Sequence, residues 1–199
     1  MLDHRLRAHV TPITDTLALR ARALGIRPMQ VTLTGLAIGL AAAAAVASGH
    51  WTMGAILWLV NRLLDGIDGP LARLERPTEL GGYIDFVADY VVYLAIPVAV
   101  VISAPNLATA VVVLLSAYLI NIVQLLTQSS ISAERRDLRD DDRSLRLHRG
   151  LVEGAETIVA YTILLLAPQW AREVIIVFAG AVLVTAAQRF IVALRTLER

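Results

Sequence analysis

Two stretches of this chain carry no Asp, Glu, Lys or Arg: Pro28 to Asn61, 34 residues, and Tyr90 to Ala133, 44 residues. A soluble domain with about a quarter of its residues charged would interrupt runs of that length several times over. The chain is instead 57% hydrophobic and only 18% charged. A bilayer core takes ~20 apolar residues per helix, so each run predicts two spans. The breaks fall at Ser48-Gly49-His50-Trp51 and at Ser103-Ala104-Pro105-Asn106. Two shorter apolar stretches, about Leu151 to Trp170 and about Val174 to Ala193, add two more, interrupted around Pro168 to Glu173. The sequence therefore predicts an all-α, polytopic membrane protein with six transmembrane helices. With no cysteine, a disulfide scaffold, a zinc-cysteine site, an iron–sulfur centre and a thiol nucleophile are all excluded.

Residues 1–27 differ from the rest. Leu6, Val10, Ile13, Leu17 and Leu24 recur at helical spacing among Arg5, Arg7, Arg20, Arg22 and Arg27. That pattern suits an amphipathic helix lying along an anionic membrane surface, and it lacks the uninterrupted apolar stretch of a cleaved signal peptide. The expected division is an amphipathic juxtamembrane segment over 1–27 and a six-helix transmembrane domain over 28–199. All 18 basic residues are arginine, and cytoplasmic loops retain such residues. The N-terminal segment, the Arg73/Arg76 turn, the stretch with Arg135, Arg136, Arg139, Arg143, Arg146 and Arg149, and the C-terminal end are basic, whereas the alternate turns carry only Arg172. Both termini are thus expected in the cytoplasm, in a multi-pass protein of the cytoplasmic membrane. The polar stretch Glu134–Arg149 interleaves four aspartates with six arginines. It reads most simply as a solvated loop with local charge pairing, and alternatively as a basic lip for anionic lipid or substrate.

Carboxylates within spans are costly and mark function. Here Asp65, Asp68, Asp85 and Asp89 flank one short turn. At 100° per residue, Asp65 and Asp68 stand about 60° apart on one helix, and Asp85 and Asp89 about 40° apart on the next. The helices must be antiparallel neighbours, so the pairs can meet at one depth. A helix starting near Trp51 puts Asp65 ~21 Å along it, ~9 Å below the cytoplasmic edge of the core. Four carboxylates there cannot all be ionised without compensating charge. Divalent cations would supply it, and all-oxygen ligation selects Mg²⁺, Mn²⁺ or Ca²⁺. Mg²⁺ keeps positions for water and phosphate, which suggests phosphate chemistry. Gly66, Gly69, Gly81 and Gly82 permit close approach to the backbone, and Arg73 is spaced to take a phosphate oxygen.

The sequence Asp65-x2-Asp68-Gly69-x2-Ala72-Arg73-x7-Gly81-x3-Asp85-x3-Asp89 resembles the signature of the CDP-alcohol phosphotransferase family. That resemblance implies transfer of a phosphatidyl-type group from a CDP-alcohol, most often CDP-diacylglycerol, to the hydroxyl of a small alcohol, with release of CMP. It also implies a homodimer of six-helix subunits, Mg²⁺ or Mn²⁺ as cofactor, and an active site facing the cytoplasm. Asp65, Asp68 and Asp85 would bind metal, with Asp89 near enough to contribute. Asp89 would serve as catalytic base. Gly69, Ala72 and Gly81 would make room for the cytidine, and Arg73 would hold the diphosphate. Pro28 and Thr32 are similar to a Pro-x3-Thr element near the nucleotide pocket, adding Thr32 to the CDP-binding set. The competing role for Thr32 is a bond back to its own helix.

Glu153 and Glu156 open the fifth span. They either favour the helix N-terminus or line an acceptor pocket whose anionic walls would suit an amine-bearing alcohol. Arg189 is expected to snorkel to the interface, with phosphate binding as the alternative, and His4 and His148 read as surface residues. Family members that use glycerol phosphate or inositol phosphate often carry a Ser-Tyr-x-Arg-Ala-like stretch where this chain reads Gln124 to Glu134, which weighs against those acceptors. Membrane prenyltransferases also gather aspartates around Mg²⁺ and a diphosphate, but with more spans and without the Gly-x2-Ala-Arg element. A cation or proton transporter would spread its carboxylates across the membrane depth. The expected partners are a CDP-linked lipid, a small alcohol and membrane lipids, with no nucleic acid.

Overall fold

The structure, a computed structural model, describes residues 2–137 and 154–197, with side chains over 11–131 and 154–195. Most of the polar stretch Glu134–Arg149, together with His148 and Glu153, lies outside the described residues, as does the side chain of His4. Every regular element among the described residues is helical: α1 (Leu2–Ala23), α2 (Pro28–Ala47), α3 (Trp51–Glu75), α4 (Glu79–Ser103), α5 (Ala108–Asp137), α6 (Gly154–Leu166) and α7 (Ala171–Leu197). Short 3₁₀ turns at Pro105–Leu107 and Pro168–Trp170 introduce α5 and α7.

Local chemistry sets these boundaries. Both α1 and α2 end on a glycine in the left-handed region, Gly25 at φ +74° and Gly49 at φ +83°. Around each, the paired closing bonds of a Schellman motif form: Ile26 N to Ala21 O with Gly25 N to Arg22 O, and His50 N to Ala45 O with Gly49 N to Val46 O. A side chain would be strained at either position. Pro28 starts α2, where its missing N–H costs nothing. Thr78 caps α4, its Oγ1 accepting from Gly81 N at 3.0 Å.

Among the described residues, four helical segments are long and apolar enough to cross a membrane: Pro28–Ala47, Glu79–Ser103, Pro105–Ile131 and Pro168–Arg195. The other two expected spans differ for identifiable reasons. Helix α3 is long enough but carries Arg62, Asp65, Asp68, Arg73 and Glu75, and α6 has 13 described residues, ~20 Å of rise against a ~30 Å core.

The main core joins α2 to α7 around Trp58, Ile96, Leu114 and Tyr161. A smaller cluster of Ala18, Val31, Ile67 and Leu71 seats α1 on α2 and α3. Helices α2, α3 and α4 approach closely because small residues line their contacts. A Cβ added at Gly39 would stand 2.5 Å from Val92 Cγ2 of α4, and one at Gly54 would collide with Val46 of α2. Apolar side chains such as Ile102, Val112, Leu119 and Val177 remain more than 60% exposed, a surface suited to lipid rather than water.

Candidate metal and nucleotide site

Helix α3 presents Asp65 and Asp68 toward α4, which presents Asp85. One carboxylate oxygen from each of the three lies within 4.8 Å of the others. Asp68 is buried, and Asp65 and Asp85 are half-buried. From α2, Thr32 Oγ1 stands 3.2 Å from Asp68 Oδ2 and also 3.2 Å from Pro28 O. The hydroxyl therefore combines the back-bond to its own helix with a contact to the aspartate cluster. A space of about 10 Å³ lies between Asp65, Asp68, Asp85, Asp89, Asn61 and Thr32, room for one water-sized occupant. A donor set of hard oxygens around an ion-sized space fits a divalent cation such as Mg²⁺ or Mn²⁺.

Asp89 stands outside the three-carboxylate group. Its Oδ1 instead accepts from Arg62 Nη2 at 3.0 Å. Arg62 also reaches Asp65 Oδ2 at 3.5 Å, so part of the compensating charge expected from cations alone is already supplied by the chain. The sequence reading gave Arg62 no role. The signal in the sequence is an arginine three residues before Asp65, on the same face of a helix that is apolar up to that point.

Beside the cluster opens a cavity of about 470 Å³, which Thr32, Asp68 and Asp85 share with the smaller space. Its walls include Gly69, Ala72, Arg73 and Gly81, so all five residues of the expected nucleotide set line one cavity, whose size falls in the range of small-molecule sites. Gly69 leaves its wall open, since a Cβ there would only touch Arg73 Nη1 at 3.6 Å. Gly81 is constrained differently: a Cβ would sit 2.9 Å from Thr78 Oγ1, the capping atom of α4. Glu156 lies half-buried in the first turn of α6. Arg189 does not reach for the interface; its Nη1 turns inward and donates to Asn121 Oδ1 of α5 at 2.6 Å.

The sequence pattern of the CDP-alcohol phosphatidyltransferase family matches residues 26–192. The chain belongs to this family. The inner membrane protein YnjF of Escherichia coli (strain K12) is 32% identical over 173 residues, covering 85% of this chain and 84% of that protein. The archaetidylinositol phosphate synthase of Methanothermobacter thermautotrophicus is 38% identical over 85 residues, 42% of this chain and 40% of that enzyme. The phosphatidylinositol phosphate synthase (PgsA1) of Mycobacterium tuberculosis with CDP-DAG bound shares the fold at TM-score 0.71 and 20% identity, over 90% of this chain and 92% of that one. The same synthase in complex with manganese and citrate aligns at TM-score 0.72 and 19% identity, over 89% and 87%. As a CDP-alcohol phosphatidyltransferase, this chain is a membrane enzyme of phospholipid biosynthesis that transfers substituted phosphate groups, and its family depends on divalent metal ions.

Proposed function

We propose that this enzyme transfers the phosphatidyl group of CDP-diacylglycerol to the hydroxyl of a small alcohol and releases CMP. One observation carries the reading: of three convergent aspartates, two, Asp68 and Asp85, border a nucleotide-sized cavity that Gly69, Ala72, Arg73 and Gly81 also line. Asp65, Asp68 and Asp85 are the metal ligands, with Asp89, which lines the same small space, as an auxiliary oxygen beside them. These carboxylates would hold divalent ions, which would offset charge on the diphosphate and make CMP a better leaving group. Arg73 holds a diphosphate oxygen, while Gly69, Ala72, Gly81 and Thr32 make the wall against which the cytidine lies. Asp89 takes the proton of the acceptor hydroxyl. The acceptor oxygen then bonds to the phosphatidyl phosphorus as the bond from that phosphorus to the CMP oxygen breaks. Glu156, in the first turn of α6, flanks the acceptor.

The enzyme lies in the cytoplasmic membrane, with six spans, both termini and the active site on the cytoplasmic side, and works as a homodimer. Residues 1–27 lie along the surface, and residues 28–199 form the catalytic unit. The arginine distribution supports that orientation. The test is CMP release by purified protein given CDP-diacylglycerol, Mg²⁺ or Mn²⁺ and one small alcohol at a time: glycerol 3-phosphate, inositol phosphate, inositol, serine, ethanolamine or choline. Release with one alcohol, abolished by chelation and restored by Mn²⁺, is the expected result. Protein that binds no CDP-lipid would refute the proposal.

A further inference from the structure

Arg62 is the most deeply buried charge beside the aspartates, its side chain 3% exposed. An unpaired guanidinium in a membrane helix would be prohibitively costly, so its partners reveal what it is for. Nε and Nη2 both donate to Asn61 Oδ1, at 2.8 and 2.6 Å. Nη2 donates also to Asp89 Oδ1 at 3.0 Å. Nη1 donates to the Tyr93 hydroxyl at 2.8 Å and reaches Asp65 Oδ2 at 3.5 Å. These five contacts engage all five N–H groups of a guanidinium. The rings of Trp58 and Tyr93 each lie 4.8 Å from its central carbon, close enough for cation–π attraction. Asn61 is itself anchored, its Nδ2 donating to Gly35 O of α2 at 2.8 Å.

The bracing is asymmetric. Asn61, Tyr93 and the two rings fix the fork, and the remaining short bond goes to Asp89, whereas the contact to Asp65 is half an ångström longer. A fixed planar donor aligns a carboxylate more strictly than a flexible ammonium can. We infer that Arg62 is a positioning residue for Asp89: it holds that carboxylate toward the reacting hydroxyl and leaves Asp65, Asp68 and Asp85 to the metal. The inference rests on the reading of Asp89 as catalytic base.

The test is a double-variant cycle on the full-length enzyme in lipid nanodiscs, read by kcat, KM for CDP-diacylglycerol and Mn²⁺ binding followed by electron paramagnetic resonance without substrate. Arg62→Gln is expected to lower kcat on the order of 100-fold, while KM and Mn²⁺ affinity stay within about threefold. Arg62→Lys, which keeps the charge but not the fork, should fall between that variant and the parent. In an Asp89→Asn background, Arg62→Gln should cost less than about threefold more, because a residue acting through Asp89 has nothing left to position. Losses that multiply, a fully active Arg62→Lys, or an effect confined to Mn²⁺ affinity would overturn the inference. If Arg62→Gln does not fold, Tyr93→Phe removes one brace and keeps the ring. Its expected few-fold loss of kcat should vanish in the Asp89→Asn background, and its absence in the parent would equally overturn the inference. Full activity of Asp89→Asn would instead refute the base assignment on which the inference stands.

Discussion

Replacing Thr32 by Val keeps the branched shape on α2 and deletes a single hydroxyl. That hydroxyl has one proton and two acceptors at equal range, Pro28 O and Asp68 Oδ2, both at 3.2 Å, so it serves Asp68 only part of the time. A hydrogen bond to a charged group nets about 1.5–3 kcal/mol. Competition from the helix back-bond halves this to ~0.8–1.5 kcal/mol, whose upper end reaches the ~1.4 kcal/mol of a tenfold change in affinity. The same size is expected when a ligand loses an outer hydrogen-bond partner. The Mn²⁺ concentration giving half-maximal CMP release should therefore rise about tenfold in Thr32→Val, with a matching shift in the paramagnetic resonance titration. Thr32→Ser, which restores the hydroxyl, should stay within about threefold of the parent. An unchanged Mn²⁺ titration in Thr32→Val would show that the hydroxyl serves only its own helix and would refute the reasoning.

Asp89→Asn should lower kcat on the order of 100-fold or more while Mn²⁺ and nucleotide binding remain measurable; retained turnover would remove the base assignment. Asp68→Asn should lose metal-dependent activity together with Mn²⁺ binding, and full activity would undermine the metal site. Gly39→Leu places a side chain where even a Cβ would meet Val92 at 2.5 Å. It should cost at least ~1–3 kcal/mol, seen as a lowered unfolding temperature in nanodiscs, whereas an unshifted melt would contradict the close α2–α4 contact. Gly180→Ala, with nothing within 4 Å of its Cβ, is the matched change expected to leave that temperature unmoved or raised.

The helix breaks were legible because glycine and proline act locally: Gly49 closes α2 by its own backbone conformation, and Pro105 and Pro168 begin the 3₁₀ turns before α5 and α7. The spacing that puts Asp65 and Asp68 on one face of α3 was legible for the same reason, since helical geometry needs no tertiary information. Arg62 was not. Its meaning depends on Tyr93 and Asp89, more than 25 positions away on another helix, and neither periodicity nor composition says which side chains will meet. The inward turn of Arg189 onto Asn121 was hidden likewise, because snorkelling and cross-helix bonding draw on the same position near a helix end. The difference in α3 also has a single cause: a helix that carries the site's charges cannot read as an apolar span, even where its partners in the bundle hold those charges.

The glycines of α2 and the charges of α3 belong to one physical arrangement. A Cβ at Gly39 would stand 3.1 Å from Asn61 Nδ2, and one at Gly35 would stand 3.7 Å from it. Asn61 bonds Gly35 O at 2.8 Å, and Gly39 is the position where a side chain would crowd its Nδ2, whereas a Cβ at Gly35 would meet it only at ordinary contact distance. That bond points Asn61 Oδ1 at two donors of Arg62, and Arg62 in turn engages Asp89. Stripping the α2 face to glycine therefore does more than improve helix packing. It leaves a backbone carbonyl within reach of the polar chain, so that Asn61 and Arg62 are both partnered by protein groups. Inside a helix bundle the alternative is an unsatisfied buried charge, which makes the uncharged run from Pro28 to Asn61 a condition for the charged cluster that follows it.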